Sequence, residues 1–276
     1  MKKKKQKKRL VLTTIIFLIG LAIASYPFIS QWYYRLEAQD QVVQFEQAKS
    51  DLDPNVLAER IRLAHAYNQI LDPSKLGDPY TNVQKEAVSE YARMLEVQEK
   101  LGHVEIPKIN EDIPIYAGTS EAVLQKGAGH LEGTSLPVGG ESSHTVITAH
   151  RGLPSAKLFT ALDKLVIGDV FYIHNIEGVL AYRVDQILVV EPSDFEPVLV
   201  VEGHDYATLL TCTPYMINSH RLLVRGERID YVAPVKEDLI QVNKTVTFYQ
   251  YLFYITLAVL LSLLAWLIWK RVKKKK

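Results

Sequence analysis

The chain of 276 residues contains a single cysteine, Cys212, and its setting suggests a nucleophile. An apolar, β-rich run, 208–211, leads into Cys212, and Pro214 then forces the chain out of the sheet. Arg221 opens the next β-rich run nine residues after Cys212. A cysteine that closes one strand and an arginine that opens its hairpin partner can lie side by side across the pair. The spacing therefore predicts a thiol and a guanidinium at one end of a sheet.

A histidine, His150, supplies the third group, because it ends another apolar run, 145–149, just before a turn at Gly152. In acyl transfer a thiolate attacks the carbonyl, an imidazole moves the protons, and a guanidinium stabilises the developing oxyanion. Arginine suits that role because, unlike lysine, it stays charged in an apolar cleft. Cys212, His150 and Arg221 therefore predict a covalent acyl-transfer mechanism.

Other interpretations of these residues stay open at this point. A lone buried cysteine is often an inert small hydrophobe, and His220 is nearer to Cys212 in sequence than His150 is. Three arginines could simply pair with acidic residues: Arg221, Arg225 and Arg228. One cysteine without a close histidine pair is a poor zinc ligand set, so we expect no metal and no cofactor.

Helices and short strands must position these residues. Apolar residues recur at helical spacing between Leu57 and Leu71 and again between Val83 and Leu95, so the chain predicts helices over 36–98. Asp53-Pro54 suits a helix start, and turn formers over 71–80 separate the two stretches. From Gly102 onward, short apolar runs alternate with turns, which is typical of a closed barrel. The predicted strands lie near 103–106, 113–116, 145–149, 170–174, 180–190, 206–211 and 222–228, with a short helix near 156–165.

The charge distribution points to a membrane. Thirteen of the 32 basic residues flank two uncharged apolar runs, 10–29 and 251–269. Each run has about the 20 residues that a helix needs to cross the hydrocarbon core, and the basic flanks favour the cytoplasmic side. The first run could be a retained anchor or a cleaved signal peptide, because 22–24 fits a cleavage site. Residues from about 30 to 248 should then lie outside the cell membrane, with the tail 270–276 in the cytoplasm.

The body between the two runs is acidic. The remaining 19 basic residues face all 31 acidic residues, a net charge of −12, so this body repels phosphates and disfavours nucleic-acid binding. A single cysteine cannot form an internal disulfide, and an unpaired thiol outside the cell is exposed to oxidation. The composition therefore also fits an exported protein with one reactive thiol.

Several of these segments resemble the sortase family of cysteine transpeptidases. The run 208–212, followed by Arg221, is similar to the family signature, and 148–150 is similar to its histidine segment. Residues 105–109 and 113–116 look like its opening strands, so the resemblance covers about residues 100–230. It implies a mainly β fold, a closed eight-stranded barrel. It also implies that the thiol cleaves an LPXTG-like sorting signal after its threonine and that an amine resolves the acyl-enzyme. The implied site residues are Cys212, His150 and Arg221 for catalysis, with Thr211 and Thr148 for substrate binding.

Two further features resemble class C, the pilus-building sortases. Class C members combine a C-terminal membrane span with an N-terminal lid that carries an Asp-Pro-aromatic motif. This chain has the run 251–269 and the motif Asp78-Pro79-Tyr80. The resemblance implies that Asp78 faces the catalytic arginine and that Tyr80 covers the cysteine, and the alternative is an ordinary turn between helices. Met216 departs from the glycine that many class C members carry there.

The sequence as a whole predicts a membrane-anchored, extracellular transpeptidase that polymerises pilins through isopeptide bonds. Its partners would be pilins or surface proteins that bear an LPXTG-like signal, and a pilin lysine would be the amine acceptor. A housekeeping-type sortase that attaches surface proteins to the cell wall, a hydrolytic cysteine peptidase and a non-enzymatic pilus scaffold stay open as alternatives. The predicted organisation is a basic N-terminus with a signal or anchor (1–29), a helical segment (30–100) with a lid near 72–82, a catalytic barrel (101–235), a linker (236–250), a transmembrane helix (251–269) and a basic tail (270–276).

Overall fold

The structure, a computed structural model, describes residues 2–71 and 95–232. Several predictions lie outside these residues: the motif Asp78-Pro79-Tyr80, most of the second helical stretch, the transmembrane helix 251–269 and the basic tail 270–276. The linker predicted at 236–250 lies outside them as well.

Two helices precede the barrel. α1 spans Lys2–Ser50 and continues through Pro27. The helix therefore does not end at residue 29, where the sequence analysis placed a segment boundary. The apolar first half of α1 is not buried against the other residues that the structure describes, and this helix is long and apolar enough to cross a membrane. α2 spans Pro54–Gln69, and Asp53 caps it by accepting hydrogen bonds from the amides of Asn55 and Val56.

The predicted apolar face of α2 is confirmed. Ile61 and Ala64 are buried, and Leu57 and Tyr67 are partly buried against the same core. Phe45 of α1 is fully buried in that core, where it joins the side chains of the barrel strands. The second half of α1 and the whole of α2 therefore pack on the barrel through their apolar faces.

Eight strands close into the barrel, in the spatial order β1-β2-β3-β4-β7-β8-β6-β5. Most neighbours are antiparallel, but β2 pairs parallel with β3, and β4 pairs parallel with β7. The strands are β1 Lys100–Ile106, β2 Glu111–Ala117, β3 Ala128–His130, β4 Ser143–Thr148, β5 Val170–His174, β6 Val179–Val190, β7 Asp205–Thr213 and β8 His220–Ile229.

The barrel confirms the predicted fold class, and seven of its eight strands lie where the sequence predicts them. The prediction missed β3 and a short helix, α3, at Glu121–Lys126. The helix predicted near 156–165 is wrong in extent, because only a 3₁₀ turn forms there, at Leu162–Lys164. β4 is buried along its whole length, and its last four residues, 145–148, are all β-branched, as is typical of a strand in the middle of a sheet.

Candidate active site

The hairpin formed by β7 and β8 brings the predicted thiol and guanidinium together. Cys212 lies directly opposite Arg221 in the antiparallel register, as the spacing in the sequence predicts. Both residues are only 6 % exposed. The Arg221 Nη1 donates hydrogen bonds of 3.0 Å to the carbonyl oxygens of Asn218 and His220, which hold the guanidinium at the end of the barrel.

The turn between these strands is closed by backbone hydrogen bonds. The amides of Ile217 and Asn218 both donate to the carbonyl oxygen of Pro214. Met216 adopts a φ of 68°, in the left-handed region that favours glycine. This conformation gives a physical reason for the glycine that many class C members carry there, and the turn in this chain forms with methionine in its place.

The histidine is delivered by β4, which pairs parallel with β7 so that Thr148 lies opposite Leu210. The Ala149 amide donates to the Leu210 carbonyl oxygen at 3.2 Å, and the Thr211 hydroxyl donates to the Ala149 carbonyl oxygen at 2.8 Å. When the same register is continued by two residues, His150 falls beside Cys212. Because the two strands are parallel, the C-terminal end of β4 lies beside the C-terminal end of β7. In an antiparallel pair, the C-terminal end of one strand lies beside the N-terminal end of the other.

The loop after His150 packs against the β7–β8 turn. Gly152 has a φ of 92°, and a Cβ at this position would come within 2.9 Å of the Tyr215 ring. Only glycine allows both that conformation and that approach. The Phe159 amide also donates to the His150 carbonyl oxygen at 3.2 Å, which ties the loop to a fully buried side chain.

A carboxylate that the sequence analysis missed lies beside the histidine. Glu121, at the start of α3, has its Oε2 3.4 Å from the His150 Nε2, and its side chain is 68 % exposed. The hydroxyl of Ser120 caps α3, so a search for capping residues could have found the helix. No sequence pattern links it to His150, because the contact depends on how α3 sits against the barrel.

The rival histidine and arginines have their own partners. In the antiparallel register His220 lies opposite Thr213, so it points to the other face of the sheet from Cys212. Its Nε2 lies 3.2 Å from a carboxylate oxygen of Glu191. Arg225 forms two hydrogen bonds to Asp185, of 3.1 and 2.6 Å, and stacks over the Tyr206 ring. Arg228 lies 3.8 Å from Asp205. Geometry therefore favours His150 and Arg221 over these alternatives.

The two threonines predicted to bind substrate are both fully buried. The Thr211 hydroxyl is used to join the end of β7 to Ala149. Substrate contact stays a prediction for Thr148 and Thr211, and the geometry supports it less well than a role in holding the strand ends together.

Among the described residues, one group has the composition of a metal site: Glu46, His103 and His174. Their ligand atoms lie within 4.8 Å of one another. The two imidazole rings are stacked, with centroids 4.1 Å apart and an angle of 13° between their planes. Nitrogen lone pairs lie in the ring plane, so two nearly parallel rings do not aim at one ion. The group lies on α1, β1 and β5, away from the strands that carry Cys212 and Arg221.

Comparison with known proteins shows which family the barrel belongs to. The family model of the sortase domain matches residues 104–229. The chain is 24 % identical to sortase A of Bacillus anthracis over 228 residues, which is 82 % of this chain and 96 % of that protein. The similarity thus extends beyond the barrel into the N-terminal helices.

Solved structures of sortases C are more similar still. A Streptococcus pneumoniae sortase C is 61 % identical, with a TM-score of 0.66, and the match covers 71 % of this chain and all of that one. A pilus-related sortase C of Group B Streptococcus is 57 % identical, with a TM-score of 0.66, over 69 % of this chain and 97 % of that one. Identity of this degree over whole neighbouring chains, together with the shared barrel, shows that the chain belongs to the sortase family of cysteine transpeptidases, in its class C group.

Proposed function

We propose that this protein polymerises pilins through the thiol of Cys212, with His150 and Arg221 as the other two catalytic residues. The observation that carries the proposal is the register of three neighbouring strands. Cys212 pairs directly with Arg221, and the parallel register of β4 and β7 leads His150 to the same end of the barrel. The pilus-related description of the Group B Streptococcus neighbour supports the choice of a pilin as substrate.

The first half-reaction cleaves the sorting signal. The Cys212 thiolate attacks the carbonyl carbon of the threonine in an LPXTG-like motif, and the Arg221 guanidinium stabilises the oxyanion that forms. His150, in its protonated form, gives its proton to the departing amine of the next residue. The products are a thioester between Cys212 and the pilin and a released C-terminal peptide.

The second half-reaction forms the isopeptide bond. The uncharged amine of a lysine on a second pilin attacks the thioester carbonyl, and His150 takes up the proton that this amine loses. Collapse of the intermediate expels the Cys212 thiolate and leaves an amide between the two pilins. If water replaces the amine, the same intermediate is hydrolysed, so access of the lysine decides between joining and cleavage.

We further propose that the body lies outside the cell membrane and that the tail 270–276 lies in the cytoplasm. The uncovered apolar first half of α1 supports anchoring at the N-terminal side, and the basic flanks of both apolar runs support this orientation. Protease added to intact protoplasts should degrade the body. A protected body would contradict the proposal, because the substrates are outside.

A lid is the last part of the proposed function. The motif Asp78-Pro79-Tyr80 resembles the class C lid motif, in which the aspartate faces the catalytic arginine and the aromatic ring covers the cysteine. A thiol in an oxidising exterior benefits from such cover. We therefore propose that this segment limits access to Cys212 when no substrate is bound.

Mass spectrometry of the products tests the proposed reaction. The full-length protein in detergent micelles is incubated with a sorting-signal peptide and a candidate pilin. We expect an adduct on the pilin with the mass of the peptide up to its threonine, minus one water, attached to a lysine. Cys212→Ala should abolish both the adduct and the released peptide. A product cleaved but never joined would favour the hydrolytic peptidase, and turnover by Cys212→Ala would refute the assignment of the nucleophile.

A further inference from the structure

Arg151 follows the proposed catalytic histidine directly, and no part of the proposed mechanism uses it. Its side chain is only 7 % exposed, which is unusual for an arginine. The cost of burying a guanidinium is offset by good partners for its donors, and in Arg151 the two Nη atoms have such partners whereas the buried Nε has none among the described residues. The partners of Arg151 therefore indicate what this residue does.

Two contacts fix the guanidinium. The Arg151 Nη1 donates to the Thr213 Oγ1 at 3.0 Å, and Nη2 lies 2.7 Å from the Asp163 Oδ2. Thr213 directly follows Cys212 in β7. The Arg151 side chain therefore connects the segment that follows β4, just after His150, to the end of β7, just after Cys212.

The connection lies where the backbone ladder between these strands has ended. The last register pair of β4 and β7 is Thr148 with Leu210, and the last links beyond it use Ala149. The bond from Arg151 to Thr213 continues the same register one step past His150 and Cys212. The β4–β7 ladder has no pair beyond Leu210. The contact between Arg151 and Thr213 therefore limits how far His150 and Cys212, which precede these two residues, can separate.

Both ends of the connection are themselves held in place. Thr213 still pairs with His220 in the β7–β8 ladder. Asp163 lies in the 3₁₀ turn Leu162–Lys164, whose Leu162 is fully buried. On the other side, the backbone of Arg151 bridges to Leu158 across the loop. The guanidinium thus joins the end of β7 to a turn that is anchored by a buried leucine.

We propose that Arg151 is a positioning residue that clamps the loop after β4 to the end of β7 and so fixes the distance between the His150 imidazole and the Cys212 thiol. The inference rests on the proposed function, because it gives Arg151 a role only if that histidine and that thiol act as a pair. Arg151 does not stabilise the oxyanion itself, since both of its Nη atoms face Thr213 and Asp163. A displacement of only 1 Å in such a pair can reduce the rate by about 100-fold.

The clamp can be opened with little other change to the fold. Thr213→Val removes the acceptor hydroxyl, keeps the shape of the side chain and leaves the Arg151–Asp163 ion pair intact. Thr213→Ser keeps the hydroxyl and serves as the conservative variant. Arg183→Gln is a control for loss of an arginine, because Arg183 is exposed on β6.

The experiment uses the full-length protein in detergent micelles and three measurements. The first is the rate of Cys212 alkylation by iodoacetamide from about pH 5 to 9, a range that spans the ordinary pKa values of histidine and cysteine. The second is kcat and KM for a sorting-signal peptide, and the third is the thermal midpoint. His150→Ala provides the alkylation profile of a thiol without its imidazole.

For Thr213→Val we expect kcat to fall about tenfold, less than the loss for a full 1 Å displacement, with little change in KM. Its alkylation profile should shift towards that of His150→Ala, while Thr213→Ser and Arg183→Gln should behave like the wild type. A merely structural contact would lower the thermal midpoint and leave the alkylation profile unchanged. Wild-type kcat and a wild-type profile in Thr213→Val would overturn the clamp. If His150→Ala also kept the wild-type profile, the proposed pair itself would be wrong.

Discussion

His103 and His150 each have an Nε2 that lies 3.4 Å from a glutamate carboxylate, yet their surroundings differ in every other respect. The His103 side chain is 5 % exposed, and Asp112 accepts a 2.6 Å hydrogen bond at its other ring nitrogen. The His150 side chain is 18 % exposed, and its glutamate is mostly in solvent. One ring is enclosed between carboxylates, whereas the other follows β4 at the end of the barrel where the continued β4–β7 register also places the thiol.

The electrostatic consequence is clear for His103, whose ring is held in its charged form. Burial alone would lower the pKa of His103, but hydrogen bonds to Asp112 and Glu46 outweigh it and raise the pKa to about 9. A ring held in its charged form around neutral pH cannot easily give up and regain a proton during turnover. The comparison therefore predicts that His103 contributes to stability and His150 to activity, and four experiments test or sharpen it.

The largest expected effect is the loss of activity in His150→Ala. Loss of general acid–base catalysis typically costs about 10²- to 10⁴-fold in rate, and we expect kcat for a sorting-signal peptide to fall by that amount. The thermal midpoint should stay near the wild-type value, because the ring is partly exposed at the barrel end. Steady-state kinetics and calorimetry of the full-length protein measure both quantities.

The matched control for this variant is His220→Ala. His220 lies on the other face of the sheet and is paired with Glu191, so its loss should leave kcat nearly unchanged. If His220→Ala were inactive and His150→Ala active, the assignment of His150 as the acid–base residue would be wrong. The β4–β7 register would then no longer support that assignment.

The next effect concerns Arg221 and Arg225, two of the three arginines of β8. Arg221→Ala should cost about 2.7–4 kcal/mol of transition-state stabilisation, as the loss of other oxyanion donors does. Arg221→Lys should also be poor, since a point charge replaces a planar fork. Arg225→Gln is the control, because Arg225 is already paired with Asp185 and stacked on Tyr206. It should lower the thermal midpoint and keep kcat, and a loss of kcat as large as that of Arg221→Ala would contradict the assignment.

The sequence predicted the catalytic strands well because local signals mark their ends. Pro214 ends β7, Gly152 follows β4, and the spacing from Cys212 to Arg221 is that of a hairpin. β3 was missed because it has only three residues and is held by its neighbours in the barrel, so no periodicity could indicate it.

The chemistry of individual histidines could not be predicted, because it depends on residues distant in sequence. His103 is charged through Asp112 on β2 and Glu46 on α1. His144 is buried instead beside the neutral groups Leu199 and Thr208, and burial lowers its pKa to about 4. The partners of both rings come from other parts of the chain, so only the folded barrel shows which ring is charged.

The third prediction is a pH dependence of stability from His103. Its pKa is raised on folding from the model-peptide value of 6.5 to about 9, so the charged ring stabilises the fold fully below pH 6.5 and this contribution is lost as pH rises through about 9. Hydrogen bonds to charged groups contribute about 1.5–3 kcal/mol. His103→Gln should therefore lower the free energy of unfolding by about that amount at neutral pH and much less above the folded pKa.

Calorimetry of wild type and His103→Gln across this pH range measures the difference. His204→Gln is the control, because its ring pairs with Glu227 at an exposed position and should contribute less than about 1 kcal/mol. Activity should be unchanged in both variants. A constant difference between wild type and His103→Gln at all pH values would mean that the ring stabilises the fold by packing alone, and the comparison with His150 would lose its electrostatic basis.

The smallest expected effect is that of the proposed lid. An ion pair from Asp78 at the mouth of the cleft should contribute no more than about 1 kcal/mol, because such a pair is at most partly buried. That free energy corresponds to a change of about fivefold in the open population, so Asp78→Ala with Tyr80→Ala should speed alkylation of Cys212 by up to that factor. Asp72→Ala is the matched control, since Asp72-Pro73 has the same dipeptide without the aromatic residue. The double lid variant should change only the access of the reagent to Cys212, and so the alkylation rate at every pH. His150→Ala should instead alter how the alkylation rate depends on pH. Equal alkylation rates in the double variant and the wild type, with the fold intact, would leave the segment as an ordinary turn between helices and would assign the protection of the thiol to the barrel itself.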